Sequence, residues 1–177
     1  MENKLRDEMI IGIADFRLPK YNEIPDVGLF LEQTTKYISG ILAPLDGITI
    51  TSSMISNYVK RKLIANPIKK QYSREQIAYL IYIAIAKSVL SLEDIQLMID
   101  MQKTSYTGVD AYSYFCREFE DILTLTFGLK DDFQQISVKN YEMKTMLRNT
   151  VVATVHKIYL EKSVKILKKI REEQNNQ

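Results

Sequence analysis

The chain has 177 residues, 46% of them hydrophobic and 26% charged, with a formal net charge of +2. That balance belongs to a folded protein with a sizeable core and excludes a disordered chain. The one cysteine, Cys116, excludes an internal disulfide, and the most apolar run, Ile77 to Ala86, falls far short of the roughly 20 residues of a membrane span.

The N-terminus, MENKLRDEMIIG, mixes both charge signs and does not read as a secretory signal, so a reducing, cytoplasmic setting is expected. A first helix is predicted from about Asn3 to Phe16. Leu18-Pro19 and Ile24-Pro25 then bracket an extended connection, because a residue before proline is pushed out of the α region. Asp26 is the expected N-cap of a second helix ending near Leu42, with Leu29, Phe30, Tyr37, Ile41 and Leu42 on its apolar side. After the turn Ala43 to Gly47, Thr51 offers an N-cap for a third helix through about Lys62. Pro67 stops that helix from continuing, and Leu63 to Tyr72 reads as a loop or a short two-stranded wing. Ser73 with Gln76 forms a capping-box pattern that starts a fourth helix. It is apolar nearly all round and is expected at the centre of the fold. Ser91 with Asp94 opens a fifth helix to about Gln102, and a sixth runs from Asp110 to Phe127 with Gly128 as its cap. It is expected to bury Tyr114 or Phe115, with Phe119, Ile122 and Leu123. A last long helix is predicted from about Val138 to Glu172.

Charge is distributed unevenly along these elements. Between Gly47 and Arg74 stand six bases (Lys60, Arg61, Lys62, Lys69, Lys70 and Arg74) and no acid. The flanking blocks 1–46 and 75–142 carry net charges of −3 and −6, and 143–177 carries +5. A local positive patch on an otherwise mildly acidic chain points to a polyanionic partner. On the third helix Ser53, Ser56, Asn57 and Lys60 follow helical spacing and form one polar stripe, opposite Ile55, Tyr58 and Val59. Small hydroxyls and an Asn suit base edges in a major groove, where Asn can pair with adenine through two hydrogen bonds. Arg61, Lys69, Lys70 and Arg74 suit phosphates, as do the helix-start residues Thr51 and Ser52 through the free amides there. Tyr58 and Tyr72 are expected to hold the helix and wing in place.

The segment Met54 to Pro67, with its Tyr58, hydrophobic pair and proline, resembles the recognition-helix region of MerR-type winged-helix regulators. Lys70-Gln71-Tyr72-Ser73 and Ser91-Leu92-Glu93-Asp94-Ile95 resemble the same family's following motifs. Two positions depart from that pattern: Ser56 stands where MerR-type proteins usually carry Arg, and Lys62 where they usually carry Gly. More of the chain, from about Leu18 to Gln102, resembles a bacterial family known only as a domain of unknown function, DUF 1836. The resemblance implies a winged helix-turn-helix character and no established activity.

Enzyme chemistry is not expected, nor is a cofactor or a metal. His156 falls within a helical run, Cys116 reads as a small core residue, and Glu118, Glu120, Asp121, Asp131 and Asp132 read as solvated faces. One His and one Cys cannot build a Cys/His zinc site. The expected fold is all-α, with a winged helix-turn-helix-like element in residues 1–104 and a helical region, 105–177, suited to dimerisation through Leu147, Val151, Val155, Ile158, Leu167 and Ile170. The expected function is sequence-specific DNA binding in transcriptional control, with double-stranded DNA and a second copy as partners. The alternatives are a helical protein-interaction module, or a small-molecule sensor without DNA binding whose effector would lie among Tyr106, Tyr112, Tyr114, Phe115 and Phe119.

Overall fold

The computed structural model describes residues 2–130 and 141–175. The described chain forms α1 (Glu2–Ile10), α2 (Leu31–Leu42), α3 (Ser52–Lys60), α4 (Arg74–Ala86), α5 (Leu92–Ser105), α6 (Gly108–Thr126) and α7 (Tyr141–Asn175). A 3-10 turn at Tyr21–Glu23 and two short strands, β1 (Leu29–Phe30) and β2 (Gln71–Tyr72), complete it. The all-α class with a long C-terminal helix is thus what forms; the expected start of that helix near Val138 lies outside the described residues.

The fourth helix takes the central place. Ile77, Leu80, Ile81, Ile83 and Ala84 are all fully buried. Its start is the expected capping box: the Gln76 amide donates to Ser73 Oγ at 3.3 Å, and Gln76 Oε1 accepts from the Ser73 amide at 2.8 Å. Around α4 the helices α2, α6 and α7 pack, and α7 also covers α1 and α5. One hydrophobic cluster runs from Met9 through α4 to Ile166. Within it a chain of rings passes from Phe16 to Phe119 (6.1 Å between centroids), to Phe115 (5.9 Å), and on to Tyr82 (5.3 Å).

Two elements differ from expectation. The first helix stops at Ile10, short of Phe16, and turns follow it through residue 15. The second helix begins at Leu31, not after Asp26, because Leu29 and Phe30 leave the helical path and pair with Tyr72 and Gln71. Gly28 makes this possible: its φ of 71° is a left-handed one, and a Cβ there would come 3.1 Å from the Cβ of Gln71. Phe30 then acts as the N-cap position of α2, its amide held by Gln33 Oε1 at 3.0 Å.

Candidate nucleic-acid interface

The acid-free stretch folds into α3, a turn, and a hairpin leading into α4. Nine residues, 43–51, separate α2 from α3. Thr51 caps α3, its hydroxyl accepting from the Met54 amide at 3.2 Å. Ile55 and Tyr58 face the core at 0% and 2% exposure. Ser53, Ser56, Asn57 and Lys60 all face solvent, as their stripe requires. The Ser56 hydroxyl donates back to the Ser52 carbonyl at 2.9 Å.

The helix closes on a Schellman motif. The Lys62 amide donates to the Val59 carbonyl and the Leu63 amide to the Tyr58 carbonyl, at 2.9 and 3.0 Å. Such a closure wants glycine at the left-handed position, and Lys62 takes it with a φ of 62°. The turn therefore forms without the glycine. It ends α3 at Lys60, two residues earlier than expected, and leaves the Lys62 side chain exposed.

Past Pro67 the chain reverses through Lys69 and Lys70. The Gln71 amide donates to the Ile68 carbonyl at 2.9 Å, and Ile68 pairs with Gln71 across the turn. Both lysines have positive φ, 50° and 65°. That marks a two-residue hairpin loop of the type I′ kind, where Asn-Gly is the usual pair. Gln71 also pairs with Phe30, so β2 is the middle of a three-segment antiparallel ribbon. Residues opposite one another in a ribbon share a face. Phe30 (49% exposed) and Ile68 (79% exposed) thus flank Gln71 on an outer face, while Tyr72 is buried behind it.

The remaining predicted residues are placed differently from one another. Arg61 is exposed but paired with Glu93 of α5 at 2.7 Å. Ser52 turns inward, its hydroxyl 2.9 Å from that of Thr35 on α2. Arg74 is engaged with the chain itself: Nε donates to the Ile24 carbonyl at 2.8 Å, and the guanidinium lies 3.7 Å from Asp26 and over the Tyr21 ring. The exposed group is therefore Ser53, Ser56, Asn57, Lys60, Lys62, Lys69 and Lys70, with Arg61 at its edge. Tyr58 is a supporting residue; burial puts its hydroxyl beyond reach of a surface ligand and pushes its pKa up to about 12.

Elsewhere, Glu118 departs from its reading as a solvated acid and is buried at 4% exposure. Glu120 is half-buried and accepts from the Leu18 amide at 2.9 Å, while Asp131 and Asp132 lie outside the described residues. Burial raises the Cys116 thiol to about 12, which leaves it protonated at neutral pH and a poor nucleophile. Sequence reasoning missed the brace beneath α3. Asp46, in the turn before it, meets Lys165 and Lys162 of α7 at 2.6 and 3.6 Å, and the Glu161 carboxylate stands where a Cβ on Gly47 would be.

These features define a helical protein that presents a short polar helix and a lysine-tipped hairpin from one acid-free segment. The chain belongs to the family described as Domain of unknown function (DUF1836), whose model matches residues 19–115. The matched segment runs from before β1 into the first half of α6 and so contains the whole exposed group. No curated protein and no solved structure matches the chain.

Proposed function

We propose that this protein is a sequence-specific DNA-binding regulator built on a MerR-like winged helix-turn-helix. In this reading α3 enters the major groove with Ser53, Ser56, Asn57 and Lys60, and the hairpin is the wing that grips the backbone through Lys69 and Lys70. The observation that carries the reading is the pair of lysines at the hairpin tip. Both adopt a left-handed φ that costs an L-residue about 1–2 kcal/mol, where Asn-Gly would relieve it. Like charges held side by side at the tip fit a site where a bound polyanion relieves their repulsion, and backbone strain kept there fits a functional constraint. Arg61 joins the phosphate contacts by exchanging Glu93 for a phosphate. Thr51 serves as the α3 cap next to the helix's free amides, and Ser52 and Arg74 support from behind.

In-vitro selection from random duplexes tests this directly. The wild-type chain is expected to enrich a defined site. Asn57→Ala is expected to lose preference at one base position, worth about 1–3 kcal/mol of discrimination, with its melting temperature unchanged. No duplex binding at about 50 mM salt would sink the reading, since the electrostatic attraction is strongest at low salt.

Two copies are proposed to pair through α7, because one α3 reads a single half-site and dimers span two. Val151, Val155 and Ile158, expected on the pairing face, are instead buried in the chain's own core, with Leu147 and Ile170 packed against it. The apolar stripe that stays exposed on α7 is Leu160, Val164 and Leu167, at helical spacing and 63%, 48% and 48% exposed. Sedimentation equilibrium is expected to give a dimer at micromolar concentration and a monomer for Leu160→Glu with Leu167→Glu. A wild-type monomer removes the pairing. The alternative of a protein-interaction module draws on exposed Val27, Phe30 and Ile68 beside the lysines. A binding partner that is an acidic protein, with no salt-steep duplex binding, would favour it.

A further inference from the structure

Behind the proposed reading unit, α4, α5, α6 and the start of α7 surround a cavity of about 340 Å³. That lies within the roughly 300–1,000 Å³ of small-molecule sites. The rings of Tyr79, Tyr82, Tyr106, Tyr114 and Phe115 line it. Tyrosine rings present a negative π face, and in this cavity several already hold the chain's own cations. The Lys144 ammonium lies 5.7 Å from the Tyr106 centroid and 5.0 Å from that of Tyr114. The Lys103 ammonium lies 5.3 Å from Tyr79, and the Arg117 guanidinium 5.2 Å from Tyr114.

The polar groups of the cavity differ in how they are used. Gln102 is occupied at both ends: Oε1 accepts from the Tyr79 hydroxyl at 2.8 Å, and Nε2 donates to the Tyr106 carbonyl at 2.9 Å. The Tyr82 hydroxyl, among the described residues, meets only the Met98 sulfur, at 3.8 Å. Glu75 stands solvent-exposed at the cavity rim beside Gly108, where a Cβ would come within 2.8 Å of Oε1, and forms no ion pair with a basic side chain among the described residues. Rings that already hold ammonium groups, with a carboxylate at the rim of the same cavity, are the chemistry of a cation site.

We propose that this cavity binds a small apolar organic cation, an amine or quaternary ammonium, whose charged group takes the place of Lys144 on Tyr106 and Tyr114. Glu75 balances the charge, and the apolar body fills the space beside Tyr82, Phe115 and Met98. Occupancy is communicated to the DNA face through α4, a link that rests on the proposed DNA-binding function. Glu75 stands in the first turn of α4 between two tethers. Arg74 holds the Ile24 carbonyl, and Gln76 holds the Ala65 carbonyl, just ahead of the hairpin, at 2.8 Å.

Calorimetric titration of the full chain with benzyltrimethylammonium tests the site, with benzyl alcohol and benzoate as neutral and anionic arms. The cation is expected to bind about tenfold tighter than the alcohol, equivalent to about 1.4 kcal/mol, with benzoate weakest. Glu75→Gln should lose about that factor, while Lys144→Gln, by vacating the rings, should tighten binding. Thermal melts confirm that both variants fold. Equal binding of the three probes, or no binding to either the wild-type or the Lys144→Gln chain, overturns the site. Duplex affinity is then compared with and without saturating probe. A shift of about fivefold or more supports the link through α4. No shift overturns the link, and no duplex binding in either condition sinks the DNA-reading proposal while leaving the cation site standing.

Discussion

Replacing Lys69-Lys70 with Asn-Gly is expected to raise the stability of the chain and to weaken its grip on duplex DNA in the same step. The two lysines occupy the central positions of the hairpin turn with φ values of 50° and 65°. Asn and Gly accept that region readily, so the folded state should gain about 1–2 kcal/mol. The hairpin register, fixed by Ile68 with Gln71 and by Phe30 with Gln71, has no reason to change. If the tip neutralises two phosphates, the log–log salt slope should become shallower by about 1.8, at about 0.9 per contact. Denaturant melts and a salt titration measure the two effects separately. A variant that is more stable yet binds DNA with an unchanged salt slope would show that the hairpin does not touch the backbone.

Phe119→Ala is expected to cost about 3–5 kcal/mol, the range for emptying a buried Phe site. Phe119 is fully buried and joins Phe16, after α1, to Phe115, which in turn contacts Tyr82 of α4. The ring contacts with Phe16 and with Phe115 are lost at once, and stiff neighbouring rings collapse poorly into the space left. Native domains hold only about 5–15 kcal/mol in total, so the variant should unfold at markedly lower urea concentration. A loss below about 1 kcal/mol would mean that this ring chain is not a central support. Phe119→Leu, which keeps most of the volume, should recover much of the difference.

Legibility of the chain depended on whether the cause was local. The start of α4 was legible because Ser73 and Gln76 cap each other within one turn. The caps of α3, α5 and α6 at Thr51, Ser91 and Thr107 are equally local, although Thr107 lies in a stretch that reads as a break between helices. Strand β1 was not legible. Leu29 and Phe30 fit a helical period as well as a strand, and only pairing with Gln71 and Tyr72 decides between them. The hairpin tip was hidden because Lys-Lys lacks the Asn-Gly signal that its geometry calls for. The burial of Glu118 did have a signal: it shares a helical face with Phe115, Phe119 and Ile122, all buried. In the candidate interface, the exposed stripe of α3 followed from spacing. The inward turn of Ser52 and the tethering of Arg74 did not, since their partners, Thr35 and Ile24, lie far away in sequence.

The Asp46–Gly47 turn, seated on Glu161, Lys162 and Lys165, makes the protein hard to divide. A fragment ending near residue 104 would keep every residue of the α3 stripe and the hairpin, yet strip the turn that aims α3 of its counter-ions and its cover. Nor can α7 change length freely ahead of residue 161. One inserted residue would rotate the remainder of the helix by about 100° and carry all three partners off the turn. The two ends of the chain are in that sense inherited together, and moving α3 with its hairpin onto another scaffold would require this helix to travel with them.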